Sequence, residues 1–417
     1  MSKRVLFVTN SGGLGGASRD LLSLLGRLPA GRIEPVVVVA EAGPFSAEVE
    51  ALGVKTVRVA QPWWVTPGTV DAWLYSMRLL PKAVEGLRSI IRKEDVAAVV
   101  TNVAVVPAGA LAASIEGKPH AWIVREFVGH GGFLGPLDPA TMHGCMGALS
   151  ARVVCVSETL AASVRKIVGQ EKVAVVYSGV DTARFADCAL DCDSRVIVSV
   201  GATTPEKGLD DLVEAAGILA RKTPKFTVRI VGEFDHLTYR AKIEKRLKTL
   251  GIQHCFQFSG FQKDIRPCFR RAAIYCNPSH TEGMGMTIVE AMAAGLPVVA
   301  TDCGGPRDLV EDGKTGMLVP VKSPDALASA LEQMLADSGR RKVMGEAGRR
   351  RALKLFDLKV TVPQLVGMIE EVIQSPSAAQ SKPVAELLMK FLEVGGPRIL
   401  MGKKWKLLQL MGKAVSQ

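Results

Sequence analysis

Short apolar runs alternate along the chain with longer stretches in which apolar residues recur at helical spacing. In the first half the runs are Val5–Thr9, Val36–Ala40, Thr56–Val59, Val96–Thr101, Ala121–Val124, Val153–Val156 and Val173–Val176. The second half repeats the scheme with Val196–Val200, Thr227–Val231, Phe256–Ser259, Ala273–Asn277 and Val298–Thr301. Short, nearly continuous apolar runs read as strands buried on both faces, and the helical stretches between them supply the crossovers that parallel strands need. The pattern therefore predicts an α/β fold of two Rossmann-like, doubly wound parallel-sheet domains facing a cleft, with ligands beyond the carboxyl ends of the strands.

The uncharged stretch from Val96 to Ile115 has the nominal length of a membrane span. Thr101-Asn102 and Pro107-Ala108-Gly109 interrupt it, so it reads as a buried strand, a turn and a helix. The segment DCALDCDS, Asp187 to Ser194, is polar and aperiodic, which puts a domain boundary just before it. The expected organisation is a first domain over 1–185, a second over 186–355, a helix over 356–375 crossing back to the first domain, and a tail over 376–417.

The tail opens with a linker-like QSPSAAQSKP. Beyond it Leu400, Trp405, Leu408 and Met411 can share one helix face, with Lys403, Lys404 and Lys406 elsewhere. From Pro376 onward seven Lys/Arg stand against two Glu, a net of +5. A basic amphipathic helix of this kind suits an anionic membrane surface, and it equally suits docking on its own domain or on a partner. Trp63, Trp64, Trp73, Tyr75 and Met77, close to Arg78 and Lys82, form a second apolar–basic region. It reads either as a surface for a lipid-linked acceptor or membrane, or as a packed helix under a loop.

Composition narrows the class. A chain of 417 residues is too long for one ordinary core. The net charge of +11 attracts something anionic, but aromatic residues make up only 5% and no nucleic-acid motif is present, so no nucleic-acid partner is expected. The 8 cysteines include no CxxC pair, and no histidine cluster has zinc-ligand spacing. The closest pair, Cys188 and Cys192, has no further ligands nearby, so no metal is expected. Unpaired cysteines suit a reducing cytoplasm. The start, MSKRVLFVTNSGG, has too short an apolar run for a signal peptide and reads as a first strand.

The chemistry concentrates in His280 to Pro306, HTEGMGMTIVEAMAAGLPVVATDCGGP. Glu282 and Glu290 flank a glycine-broken turn, Gly283 and Gly285, and a short helix that ends at Gly295. A strand and a second glycine turn, Gly304-Gly305, follow. A turn of this kind exposes backbone N–H groups at a helix N-terminus, where phosphate binds. Carboxylates beside it accept hydrogen bonds from neutral sugar hydroxyls. The combination reads as a sugar-nucleotide site.

The same segment resembles the donor-site signature of the retaining GT-B glycosyltransferases of family 4. VGATTPEKGLDDLVEA, Val200 to Ala215, resembles that family's phosphate-binding lysine loop. YSGVD, Tyr177 to Asp181, is similar to its interdomain NGVD, and DGKTGMLVP, Asp312 to Pro320, matches the loop after the donor site. The N-terminal GGLGG fits as well. The resemblance implies a GT-B fold, with residues 1–185 as the acceptor domain and 186–355 as the donor domain. It also implies transfer of a sugar from a UDP- or GDP-sugar to a sugar, polysaccharide or lipid-linked hydroxyl acceptor, without a cofactor. Attack would come from the front face, with the leaving phosphate as proton acceptor. The setting would be the cytoplasm, peripheral on the inner face of the membrane.

Residue by residue, the resemblance assigns Lys207 to the donor diphosphate, Glu290 to the ribose and Glu282 to the transferred sugar. Gly283, Met284, Gly285, Met286 and Thr287 would act through backbone N–H groups. Gly15 and Gly16 would meet the diphosphate or acceptor. Where the family often carries a catalytic-domain histidine, this chain has HAWIVREFVGHGG. Arg125, with Glu126 beside it, occupies the expected place as a stabilising charge, and His130 is the alternative, contacting a sugar hydroxyl; His120 also lies close by. Phe258 to Asp264 would border the nucleobase. The chain departs from the family at Ala202, where an arginine commonly shares the phosphate load, leaving Arg125, Arg307 or an N-terminal N–H to replace it. That departure and the missing histidine keep a non-catalytic GT-B subunit open, and an epimerase or hydrolase of nucleotide sugars on the same fold is a third reading, because fold does not set function.

Overall fold

The computed structural model describes residues 2–65, 70–129, 138–188, 191, 193–223, 225–234 and 236–376. The candidate His130, Cys192 and all of the expected tail after residue 376 lie outside the described residues.

Among the described residues thirteen strands form two parallel sheets. The first sheet contains β1 (Lys3–Val8), β2 (Ile33–Val39), β3 (Lys55–Arg58), β4 (Ala98–Thr101), β5 (His120–Val124), β6 (Arg152–Cys155) and β7 (Val173–Val175). Its order is β3-β2-β1-β4-β5-β6-β7. The second contains β8 (Val196–Val200), β9 (Thr227–Val231), β10 (Phe256–Phe258), β11 (Ile274–Asn277), β12 (Val298–Thr301) and β13 (Gly316–Val319). Its order is β10-β9-β8-β11-β12-β13. In each, the order reverses beside the first strand, between β1 and β4 and between β8 and β11, which is where doubly wound sheets bind ligands.

The apolar runs mark these strands because both faces of a parallel sheet are covered by helices. Val5 to Val8 of β1 are wholly buried, as are Ala98 to Val100 of β4. The stretch from Val96 to Ile115 forms β4 and the helix Ala108–Ile115. Among the described residues no helix is long and apolar enough to cross a membrane. One element departs from expectation: the segment read as a loop after the donor site carries β13, which pairs with β12 through Val298–Gly316 to Thr301–Val319.

The chain divides into two compact units, one of Met1–Tyr177 with the described residues from Thr361 onward, the other of Ser178–Val360. Within the first, the helix ending at Gln374 is tied by an Arg32–Glu370 ion pair and an Arg152–Glu371 contact of 3.9 Å. Within the second, Val180 pairs with Asp357, and Phe185 packs 6.0 Å from Phe269. The apolar–basic region around Trp63 is partly core: Trp64 stacks on Trp122 at 5.4 Å, and Trp73 and Met77 are buried. Tyr75 of that region is 65% exposed. The described cysteines are unpaired, and burial pushes the Cys155 and Cys276 thiols up to about 12.

Candidate functional site

In the second unit the site is built where β8 and β11 end. After β8 the chain turns through Gly201 and Ala202, which is exposed, to a single helical turn, Pro205–Lys207. Gly208 stops that turn at φ +69° and starts the helix Leu209–Ala220. No other residue fits there. A Cβ at 208 would lie 1.9 Å from the Pro278 carbonyl oxygen, so the lysine turn rests directly on the backbone that leaves β11.

That backbone continues as Ser279-His280-Thr281-Glu282 into the glycine turn. Gly285, at φ +100°, begins the helix Met286–Ala293. Ile288, Val289, Ala291 and Met292 of this helix are buried. Met286, Thr287 and Glu290 lie on its half-buried face. Thr287 accepts a hydrogen bond of 2.6 Å from the Tyr275 phenol. Burial, more than the nearby charges of Glu282 and Glu290, holds that phenol above its ordinary range.

The glycine turn is braced from the other side by the loop after β12. Glu282 accepts from the Gly305 N–H at 2.8 Å through its carbonyl, and its own N–H points to the Cys303 carbonyl at 3.4 Å. Gly305 makes this approach feasible, because a Cβ there would sit 2.3 Å from the Met284 Cα. Met284 itself is buried, and its sulfur accepts from the Ser178 N–H at 3.1 Å.

Lys207 and Glu282 meet across these two loops. The ammonium donates to Glu282 Oε2 at 2.8 Å, with the Ser279 hydroxyl 3.4 Å from the same oxygen. The Glu282 charge, outweighing burial, holds Lys207 above its ordinary pKa. The lysine side chain is 37% exposed and the glutamate 18%. The structure thus brings together Lys207, Glu282, Gly283, Met284, Gly285, Met286, Thr287 and Glu290. A cation, helix N–H groups and carboxylates in one place can hold an anion next to neutral hydroxyls. Arg307 does not add a free cation: it forms two 2.7 Å hydrogen bonds to Asp302.

One pair was not singled out by sequence reasoning. His280 Nε2 lies 2.8 Å from Asp211 Oδ2, and the His280 N–H donates to the Glu206 carbonyl at 2.8 Å. The only signal was position: one residue lies just before the glutamate turn, the other just after the lysine turn.

The first unit holds the remaining candidates. Gly15 and Gly16 are exposed where the loop after β1 enters the helix Gly16–Leu25. A Cβ at either would meet nothing within 4 Å, so packing does not demand glycine there. Arg125, just past β5, is buried against Asp20 in an ion pair. It also donates to the Asn102 carbonyl at 3.1 Å and to Asn102 Oδ1 at 2.8 Å. Asn102 in turn donates to Ala17 O at 3.1 Å, so this network clamps the glycine-loop helix to the ends of β4 and β5. Glu126 accepts from the Ala104 N–H at 2.8 Å, and burial pushes its carboxyl up to about 7. His120 is fully buried between the Thr101 and Ser150 hydroxyls, each at 2.8 Å, and burial pushes its pKa down to about 3. It is a neutral structural residue. Among the described residues no three His, Cys, Asp or Glu side chains gather as metal ligands do.

This arrangement, on two doubly wound sheets, defines a GT-B protein. Two family models match: Glycosyltransferase Family 4 over residues 14–184 and Glycosyl transferases group 1 over residues 180–351. The chain belongs to this glycosyltransferase family. It is 34% identical over 197 residues to a GDP-mannose-dependent alpha-(1-6)-phosphatidylinositol monomannoside mannosyltransferase of Mycolicibacterium smegmatis, covering 42% of this chain and 50% of that protein. It is 27% identical over 209 residues to the lipopolysaccharide core biosynthesis glycosyltransferase LpsE of Rhizobium meliloti, covering 49% of this chain and 59% of that protein. The chain thus spans about half the length of the curated relatives it matches. Among solved structures, Anabaena HepE in complex with UDP shares the fold at a TM-score of 0.72 and 21% identity, over 88% of this chain and 100% of that one. A glycosyltransferase of Rickettsia africae does so at 0.74 and 20%, over 90% and 99%.

Proposed function

We infer that this protein moves a sugar from a UDP- or GDP-sugar to a hydroxyl of a lipid-linked or polysaccharide precursor, with retention at the anomeric carbon. The observation that carries this reading is the 2.8 Å Lys207–Glu282 pair beside the N-terminus of the helix Met286–Ala293. Lys207 and the first N–H groups of that helix offset the charge that develops on a departing nucleoside diphosphate. Glu290 takes the ribose hydroxyls, and Glu282 takes hydroxyls of the sugar once Lys207 turns to phosphate. The acceptor oxygen bonds to the anomeric carbon on the face from which the phosphate oxygen departs, and that oxygen receives the acceptor's proton. Arg125, tied to Asp20 and Asn102, serves by fixing the Gly15-Gly16 loop.

The test is nucleotide release from UDP- and GDP-sugars by the purified full chain with and without a lipid extract. Release that requires acceptor supports transfer. Release without acceptor supports hydrolysis, and binding without turnover supports a non-catalytic subunit. The basic tail over 376–417 suggests an anionic membrane as the place of action. Its removal should reduce sedimentation with anionic liposomes, and unchanged sedimentation refutes that role.

A further inference from the structure

We propose that the Asp211–His280 pair is the element that positions Lys207 for the donor diphosphate. The inference rests on the donor-site reading above. Lysine has a long flexible stem, so its ammonium is placed only as well as its backbone turn is placed. The turn Pro205–Lys207 is fixed to the glutamate loop at three points. Gly208 lies against the Pro278 carbonyl, Glu206 O accepts from the His280 N–H at 2.8 Å, and the Asp211 carboxylate meets the His280 ring at 2.8 Å. Two of the three run through His280.

The placement of both partners favours a fixed pair. Asp211 lies in the first turn of the helix Leu209–Ala220, where a negative charge is stabilised by the helix dipole. Asp211 is 17% exposed and His280 25%, so the bond is screened less than a surface contact. The pair spans 69 residues of sequence and closes the lysine turn onto the loop that carries Glu282. His280 is bonded to Asp211 through its ring and to the Glu206 carbonyl through its N–H, which makes it a positioning residue. Loss of the ring leaves Lys207 paired to Glu282 while its turn is held by the two backbone contacts alone.

The experiment measures Kd for UDP and GDP by calorimetry on the full chain, with melting temperatures recorded for every variant. His280→Ala should weaken the nucleoside diphosphate that binds by about fivefold, in the range of coupling between contacting residues. His280→Gln places an amide N–H near the Nε2 position and should restore affinity to within about twofold, because it can still donate to Asp211. In a Lys207→Ala background, His280→Ala should cost nothing further, since its effect passes through the lysine. Asp211→Ala reads the same pair from the other side and should match His280→Ala. If the unmodified protein binds neither UDP nor GDP, the donor-site reading itself fails. If it binds, and Lys207→Ala weakens binding while folded His280→Ala and Asp211→Ala do not, this inference alone is overturned. An equal loss from His280→Ala with and without Lys207 also overturns it, because the pair then acts on the fold and not on the lysine.

Discussion

Replacing Glu282 by Gln tests whether Lys207 is held in reserve for phosphate. Gln keeps the length and the acceptor oxygen of Glu282, so the Ser279 hydroxyl and the lysine both retain a partner. It removes the charge that raises the lysine's pKa. The 2.8 Å pair competes with any phosphate for the same ammonium. With the lysine 37% exposed, solvent screening limits the pair to about 1 kcal/mol. Removing that competition should tighten binding of UDP or GDP by about fivefold, since about 1.4 kcal/mol is tenfold in affinity. The gain should shrink as salt is raised. Intact nucleotide sugars should gain less if, as proposed, Glu282 also offers its oxygens to the sugar. Titration calorimetry with UDP, GDP and their sugars on the variant, on Lys207→Ala and on the double variant gives the full cycle. Lys207→Ala should lose at least tenfold, and the double variant should match it. The reasoning fails if Glu282→Gln weakens the free nucleotides, or if its gain persists without Lys207.

Glu290→Ala should weaken nucleotide binding at least tenfold, about 1.4 kcal/mol, with little change in melting temperature; unchanged affinity contradicts the ribose assignment. Gly305→Ala places a Cβ 2.3 Å from the Met284 backbone and should destabilise the fold by about 2 kcal/mol or more. Gly15→Ala, with nothing within 4 Å, should stay within about 0.5 kcal/mol of the parent in chemical unfolding. For Glu126, the folded carboxyl titrates at about 7 against an ordinary 4.5, so the folded state holds more protons than the unfolded one between those values. Stability therefore falls as pH rises through that window, by at most about 3 kcal/mol. Glu126→Gln, which keeps the acceptor for Ala104, should melt higher than the parent at pH 8 and equally near pH 5. A constant difference across that range refutes the burial argument.

The sheets were legible because parallel strands covered on both faces are largely apolar, and the runs at β1, β4, β8 and β12 are so apart from single Ser or Thr positions such as Thr101, Ser199 and Thr301. The strand β13 was not, because Gly316 to Val319 follows a glycine turn and owes its extended form to β12 beside it. The glutamate turn was readable from its glycines and acids alone. Its partner was not foreseeable as a contact: Lys207 lies 75 residues away from Glu282 in sequence. The same limit applied to Arg125. Its position at the end of β5 was read as a stabilising charge, and its ion pair with Asp20, 105 residues earlier, was not foreseeable. Periodicity reports which side of an element faces inward, and pairing across crossovers is decided by how the sheets close.

The contact of Gly208 with the Pro278 carbonyl and of Gly305 with Met284 means that main chain abuts main chain on two sides of the glutamate loop. Such a frame cannot be retuned by swapping rotamers, and it transmits little from one amino-acid exchange to the next. Exposed Ala202 and half-buried Thr281 take part in neither abutment and are then free to vary independently. Libraries built at those positions should change which donors are accepted while the scaffold keeps its melting behaviour.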